Sequence, residues 1–457
     1  MSHWFHRNQL KATAFVKFEL KSVLSRESAA KICSELRICR EQLLELLRNA
    51  SSDLETIEAE FETYLGFFYG FIYEVCDESP YVEGQHATSD DFSLPFQNAL
   101  NLNNNNKKSI RPKNSKLRYL ESFSWTNSLL GTQALSAGDS WFEALNMCLN
   151  IALWYMKRAA WISAKDEVRE YDAKNIHTAL RKAAGIFEFV SDNTEFAFKI
   201  DQLSGFHDFV GNDMDSNVLN SYIYQCQAEA QEITIARAIE LKHAPKLISA
   251  LAAETANRYY ACDRLLEKYP SEVFERWRTY FQLKYQFYLA YAYAYLGESL
   301  LAEDACGDAV RACTQGISCY VNAQNLCTKY AQSRGPGFLA RPQEHLFFRR
   351  VEPMLNRHLE KAKRENDFIY HQKVPAECPL LTDSAKFGLA NAIPFVYPKA
   401  NEIWTSISYA AFDITKSVMP RDFGRIKKEA KKIPPVKEEK CYETDRDPTN
   451  HSGCLIS

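Results

Sequence analysis

From Asp139 to about residue 366, apolar side chains return every three or four positions with few interruptions. That is the period of helices burying one face, and it rules out a sheet-based body for half the chain. The spacing predicts helices over 139–164, 171–191, 215–242, 245–268, 271–299, 301–331 and 343–366. Two more are expected upstream, from Ser25-Arg26-Glu27 through Leu47 and from Leu54 to Val75. Breaks fall at Tyr269-Pro270 and Gly335-Pro336-Gly337, where backbone chemistry disfavours helix. Between Tyr285 and Gly297, small and aromatic residues mix, so a neighbouring helix can approach closely while rings fill the gaps. No clean 34-residue repeat appears, so the expectation is a mostly α fold, a TPR-like helical solenoid.

The flanks differ. Residues 1–25 read as irregular or extended, with the alternation Phe15-Val16-Lys17-Phe18-Glu19-Leu20 predicting a short strand. Residues 81–114 include Asn103-Asn104-Asn105-Asn106 and little that could pack; they read as a disordered insertion. After residue 366, Pro375, Pro379, Pro394 and Pro398 predict extended chain lying on the helices. Residues 401–420 continue it as a packing arm, and 421–457 read as a flexible tail.

Composition narrows the function classes. The 457 residues are 46% hydrophobic and 25% charged, with a net charge of -3, so a sizeable core is available and nucleic acid is not an expected partner. The N-terminus lacks a signal-peptide core, and no apolar run reaches membrane-spanning length. The 13 cysteines are scattered without a CxxC pair, which predicts reduced, mostly buried thiols. Phosphate-binding, zinc-protease, nucleophile-elbow and kinase signatures are all missing, and His3-x-x-His6 has no companion ligands. No catalytic residue, metal or cofactor is therefore expected, and the chain reads as a non-enzyme.

The last four residues, Cys454-Leu455-Ile456-Ser457, form a CaaX box, with Ser favouring a farnesyl group on Cys454. One prenyl chain gives only marginal binding, on the order of 10⁴ M⁻¹, so a second membrane signal is needed. Residues 421–432 carry six basic and two acidic side chains and could supply it; a solvated charged tail is the plainer reading.

Several stretches resemble the BRO domain, the helical module of endosomal-sorting adaptors. They are Gln225-Cys226-Gln227-Ala228-Glu229-Ala230-Gln231-Glu232 and Arg364-Glu365-Asn366-Asp367-Phe368-Ile369-Tyr370-His371, the latter running on into Gln372-Lys373-Val374-Pro375. His3-Trp4-Phe5-His6-Arg7-Asn8, Ala236 to Pro245 and His345-Leu346-Phe347-Phe348-Arg349 add to them, and with the CaaX box they point to the short members that stop after the domain. The resemblance covers roughly residues 3–400 without the insertion at 81–114, and implies a BRO-like domain over 1–400, a boomerang-shaped solenoid with a small N-terminal β-sheet and an extended C-terminal arm. It implies as partner the C-terminal amphipathic helix of ESCRT-III subunits, held on the concave face. The apolar positions of that patch fall on Leu247 and Leu251, and one that is often Phe falls on Thr234. Flanking polar positions fall on Glu170 and Lys174. Helical period alone would make Leu247 and Leu251 core; the resemblance makes them an exposed patch. Tyr370 matches a recurring tyrosine, read as a phosphorylation site or a packing residue. The implied function is a non-enzymatic adaptor, tethered by its lipid to the cytosolic face of the nuclear envelope or an endosome. The alternative is a soluble helical scaffold for another client, its CaaX box unused.

Overall fold

In the computed structural model the described residues are 3–75, 113–165, 168–197, 210–340, 342–381, 390–417, 426–429 and 431–438. The helices follow the apolar period closely: α1 Glu27–Leu46, α2 Leu54–Ile72, α3 Ser140–Ser163, α4 Glu170–Ala197, α5 Ser216–Glu240, α6 Pro245–Leu266, α7 Ser271–Ala302 and α8 Cys306–Gln332. Start signals are local. The Asp53, Asp139 and Asp215 carboxylates accept the first free amides of α2, α3 and α5, and Pro245 opens α6 where a missing N–H costs nothing. The predicted helix over 343–366 is instead two pieces, α9 Leu346–Arg349 and α10 Val351–Glu365, closed by a π-helical turn at Asn366–Tyr370. A short α11, Ser406–Ala410, lies in the C-terminal arm.

From α3 onward each long helix packs mainly against the next in sequence, α3 on α4, α4 on α5, then α6, α7 and α8, with α10 against α8. This is the open row expected of a helical solenoid. One continuous apolar core runs through it, from Trp4 and Phe5 through Trp154, Tyr259 and Phe287 to Phe412. Nine of the ten described cysteines are buried, and all ten are free thiols.

The sheet is antiparallel and three-stranded, in the order β1 Phe123–Thr126, β2 Ala134–Ala137 and β3 Lys427–Lys428. The strand predicted over Phe15–Leu20 does not form. Val16, Phe18 and Leu20 are buried and Phe15, Lys17 and Glu19 exposed, so the alternation predicts burial correctly. The nearest strand-like pairing is the bridge at Thr13 and Trp125, the Leu20 carbonyl instead accepts from Val23 and Leu24 in a turn, and Phe18 takes a left-handed φ of 51° that a strand would not allow. Of the predicted insertion, 81–112 lie outside the described residues; Asn114 pairs with Tyr73 at the end of α2. Cys454 also lies outside them.

The arm crosses α4 at Gly185. The Ile393 N–H donates to the Arg181 carbonyl at 3.0 Å, and a Cβ on Gly185 would stand 1.7 Å from the Ile393 oxygen. Only glycine permits this crossing. The expected flexible tail is docked in part: β3 pairs with β2, and Ile433 donates to the Thr132 carbonyl at 3.0 Å.

Candidate functional site

Helix α5 is enclosed by its neighbours. Between residues 217 and 237 only Asn217, Asn220, Tyr224, Gln227, Thr234 and Arg237 keep solvent access. Their spacings of three, four and seven place them on a single stripe. The helix therefore shows one narrow face along its whole length and buries the rest.

The buried side holds an unusual load of polar groups. The Gln225 Nε2–H₂ group and the Tyr280 hydroxyl each donate to Glu229 at 2.8 Å, and the Trp277 indole donates to Gln225 at 2.9 Å. The Arg7 guanidinium pairs with Glu229 at 2.8 Å and also donates to the Met156 and His6 carbonyls. One turn on, Glu232 accepts 2.8 Å bonds from the Lys284 ammonium on both oxygens, and a further bond from the Tyr259 hydroxyl. The His3 imidazole lies 3.5 Å away, and the Lys284 ammonium sits 3.7 Å from the centre of the Trp4 ring. All of these charged groups are almost fully buried, so each needs its partner. Burial opposes the Arg7 charge, yet Glu229 outweighs it and raises the guanidinium pKa. Burial lowers Lys284 despite Glu232, and it would raise Glu232 were Lys284 and His3 not holding that carboxyl low. This network clamps the N-terminal segment His3–Asn8 between α5 and α7. It explains why Gln225, Glu229 and Glu232, at i, i+4 and i+7, are polar on a buried face of the helix. That pattern, with Lys284 amid aromatics, was the sequence signal for the network, and it was missed.

The outward stripe is flanked by α4 and α6. From α4, Glu170 and Lys174 form an exposed pair at 3.1 Å, and Glu170 reaches Arg237 of the stripe at 3.7 Å. These two cations, Lys174 first, hold the Glu170 carboxyl below its usual range. From α6, Arg258 donates to Glu254 at 2.9 Å and to Gln227 of the stripe at 3.4 Å. Leu247 is half-buried in the first turn of α6, packed on the edge of the core. Leu251 is only 3% exposed. The expected exposed pair of leucines is thus corrected: Leu251 faces inward with the alanines of α6, and Leu247 alone keeps accessible surface. Thr234 is half-buried on the stripe, its hydroxyl donating to the Ala230 carbonyl at 3.4 Å. Toward the other end the groove opens into a depression of about 690 Å³ lined by Tyr224, Tyr260, Leu265, Arg264 and Lys268. Sequence reasoning did not find these tyrosines, because a lone exposed Tyr carries no periodic signal.

Tyr370 stands far along the row. Its ring is 36% exposed, and its hydroxyl donates to Asp304 at 2.5 Å, the bond that pushes its pKa up to about 12. Gln372 adds a bond to the Asp304 carbonyl, so the turn after α10 is pinned to the α7–α8 corner.

The model of the BRO1-like domain family matches residues 109–421. The chain belongs to the BRO1-like domain family. Among curated proteins, the BRO1 domain-containing protein BROX homolog of Caenorhabditis elegans is 48% identical over 457 residues, covering 100% of both chains. The BRO1 domain-containing protein BROX of Homo sapiens is 41% identical over 424 residues, covering 92% of this chain and 93% of its own. Among solved structures, one described as the structural basis for endosomal targeting by the Bro1 domain superposes with a TM-score of 0.57 at 18% identity, covering 91% of this chain and 98% of that one. The ALIX BRO1–CHMP4C complex gives 0.57 at 16% identity, over 87% and 98%. At such identities these structures establish the fold. Among the described residues, no group of three or more His, Cys, Asp or Glu is arranged to hold a metal, and no helix is long and apolar enough to cross a membrane.

Proposed function

We propose that this BRO1-domain protein is a non-enzymatic adaptor whose α5 stripe receives the C-terminal amphipathic helix of an ESCRT-III subunit. One observation carries the reading: a single accessible face on an otherwise buried central helix, edged by paired charges on α4 and α6. A guest helix laid in such a groove buries its apolar side on the floor and meets the charges with its flanks. The BRO1 domain of ALIX, which shares the fold, is seen in complex with CHMP4C. Here the floor is Thr234 and Leu247, with Leu251 supporting it from within, and Glu170, Lys174 and Arg237 form the polar rim.

The same proposal places a farnesyl group on Cys454 and the protein at a cytosol-facing membrane, the nuclear envelope or an endosome. Tyr370 is the proposed phosphorylation site: a phosphate there would face the Asp304 carboxylate and loosen the turn it pins. The adaptor reading is tested by titrating an ESCRT-III C-terminal peptide into wild type and Leu247→Asp. Charge on the groove floor should weaken binding at least tenfold while the circular dichroism stays helical; unchanged affinity would remove the stripe as the site.

A further inference from the structure

Residues 426–438 are basic chain that the sequence presents as a free tether, yet they are built onto the body. Ile426 is buried. Lys427 and Lys428 pair with Ser136 and Leu135, the Glu429 N–H donates to the Ala134 carbonyl at 2.9 Å, and the Gln133 amide donates to the Glu429 carbonyl at 2.9 Å. The Glu429 side chain accepts a 3.0 Å bond from the Ser124 hydroxyl, so this acid turns toward the sheet. Val436 packs on the core. Glu438 closes the segment: it accepts from the Leu10 N–H at 2.7 Å and pairs with the Lys157 ammonium, both side chains being 6% exposed or less. The Lys157 ammonium also lies 4.4 Å from the centre of the Phe338 ring. A lysine so buried needs an anion, and the anion comes from the tail.

The outcome is a ledge. Lys427, Lys428, Lys431 and Lys432 are all exposed along one docked segment. We infer that this ledge is a membrane-facing edge of the protein, a fixed surface for anionic lipid headgroups held in place by the Glu438–Lys157 clasp. The inference rests on the membrane reading above and deepens it. A bilayer is the partner the chain itself favours, because the lipid-bearing Cys454 follows the clasp by 454 − 438 = 16 residues. A random coil of 16 residues would span about 22 Å, against about 34 Å for one of the 37 residues that separate Ser417 from Cys454. The clasp thus keeps the body close to the anchor and turns one edge toward it.

The test uses full-length protein with Cys454→Ser, so that no prenyl group contributes and failure of the lipid anchor cannot be confused with failure of the ledge. Binding is measured by co-sedimentation with phosphatidylcholine vesicles containing phosphatidylserine. Replacing Lys427, Lys428, Lys431 and Lys432 by Ala should reduce binding by up to about fivefold per lysine. The deciding variant is Glu438→Lys, which sets two ammonium groups against each other and releases the segment while adding positive charge to the tail. Hydrogen exchange should show the amides of 427–433 losing protection, and vesicle binding should fall despite the added charge. Glu438→Lys binding more tightly than its parent would show that a free basic tail is enough and overturn the ledge. Unaltered protection of 427–433 in that variant would overturn the clasp, and unaltered binding by the four-alanine variant would overturn the ledge.

Discussion

Replacing Glu229 by Gln keeps the shape of the side chain and removes one charge from the centre of the molecule. Arg7, 2% exposed, would be left with carbonyl acceptors and no counter-ion. Breaking a buried pair from one side costs about 3–5 kcal/mol, because the remaining charge stays out of water. Tyr280 and Gln225 donate to the same Glu229 oxygen, and a neutral amide accepts less strongly, so the upper part of that range is expected. Trp4 and Trp277 lie in the same cluster, and their fluorescence should report its loss in a urea titration. The control is a double-mutant cycle. Arg7→Met alone and Glu229→Leu alone should each destabilise, whereas the two together should recover at least about 2 kcal/mol relative to the sum of those singles. Single losses below about 1 kcal/mol, or a double variant no better than additive, would show that the network does not hold the N-terminal segment in place.

Two further outcomes follow from packing and charge. Gly185→Ala gains about 1 kcal/mol of helix propensity, but its methyl would meet the Ile393 oxygen at 1.7 Å; the arm must lift, so the melting temperature should fall, and a rise would contradict the crossing. Burial pushes His6 down to about 3 and His345 to about 4. A histidine whose folded pKa lies below its unfolded value near 6.5 contributes stability that is complete above pH 6.5 and lost as pH falls toward the folded pKa. Each should therefore remove about 2 kcal/mol between pH 7.5 and 5; His3 and His358, also lowered by burial, add to the loss, and His6→Asn should flatten that part of the stability–pH profile by its own share of it.

The helical body was legible because its cause is local. Apolar period, acidic caps and proline stops act within a turn or two, and eight long helices fall within a few residues of where the pattern puts them. The alternation at 15–20 was just as local, and it named the buried side chains correctly while implying a strand that never forms. Pairing needs a partner at the right height, and no local pattern contains one. The candidate site divides the same way. Helical period alone made Leu247 and Leu251 core, which holds for Leu251; the exposed pair came from the resemblance, and only the packing shows Leu247 keeping surface while Leu251, one turn beyond, points inward.

What the sequence determined by itself is the row of helices and the motif residues along it, since helix formation depends on neighbours a few positions away. The tertiary structure alone decided which face of α5 stays open, which carboxylates meet Arg7, Lys284 and Lys157, and that a lysine-rich tail becomes the third strand of a sheet. Those outcomes depend on groups up to hundreds of residues apart being brought out of water together, where an unpaired charge is too costly to leave and the chain must supply its partner from wherever it can reach.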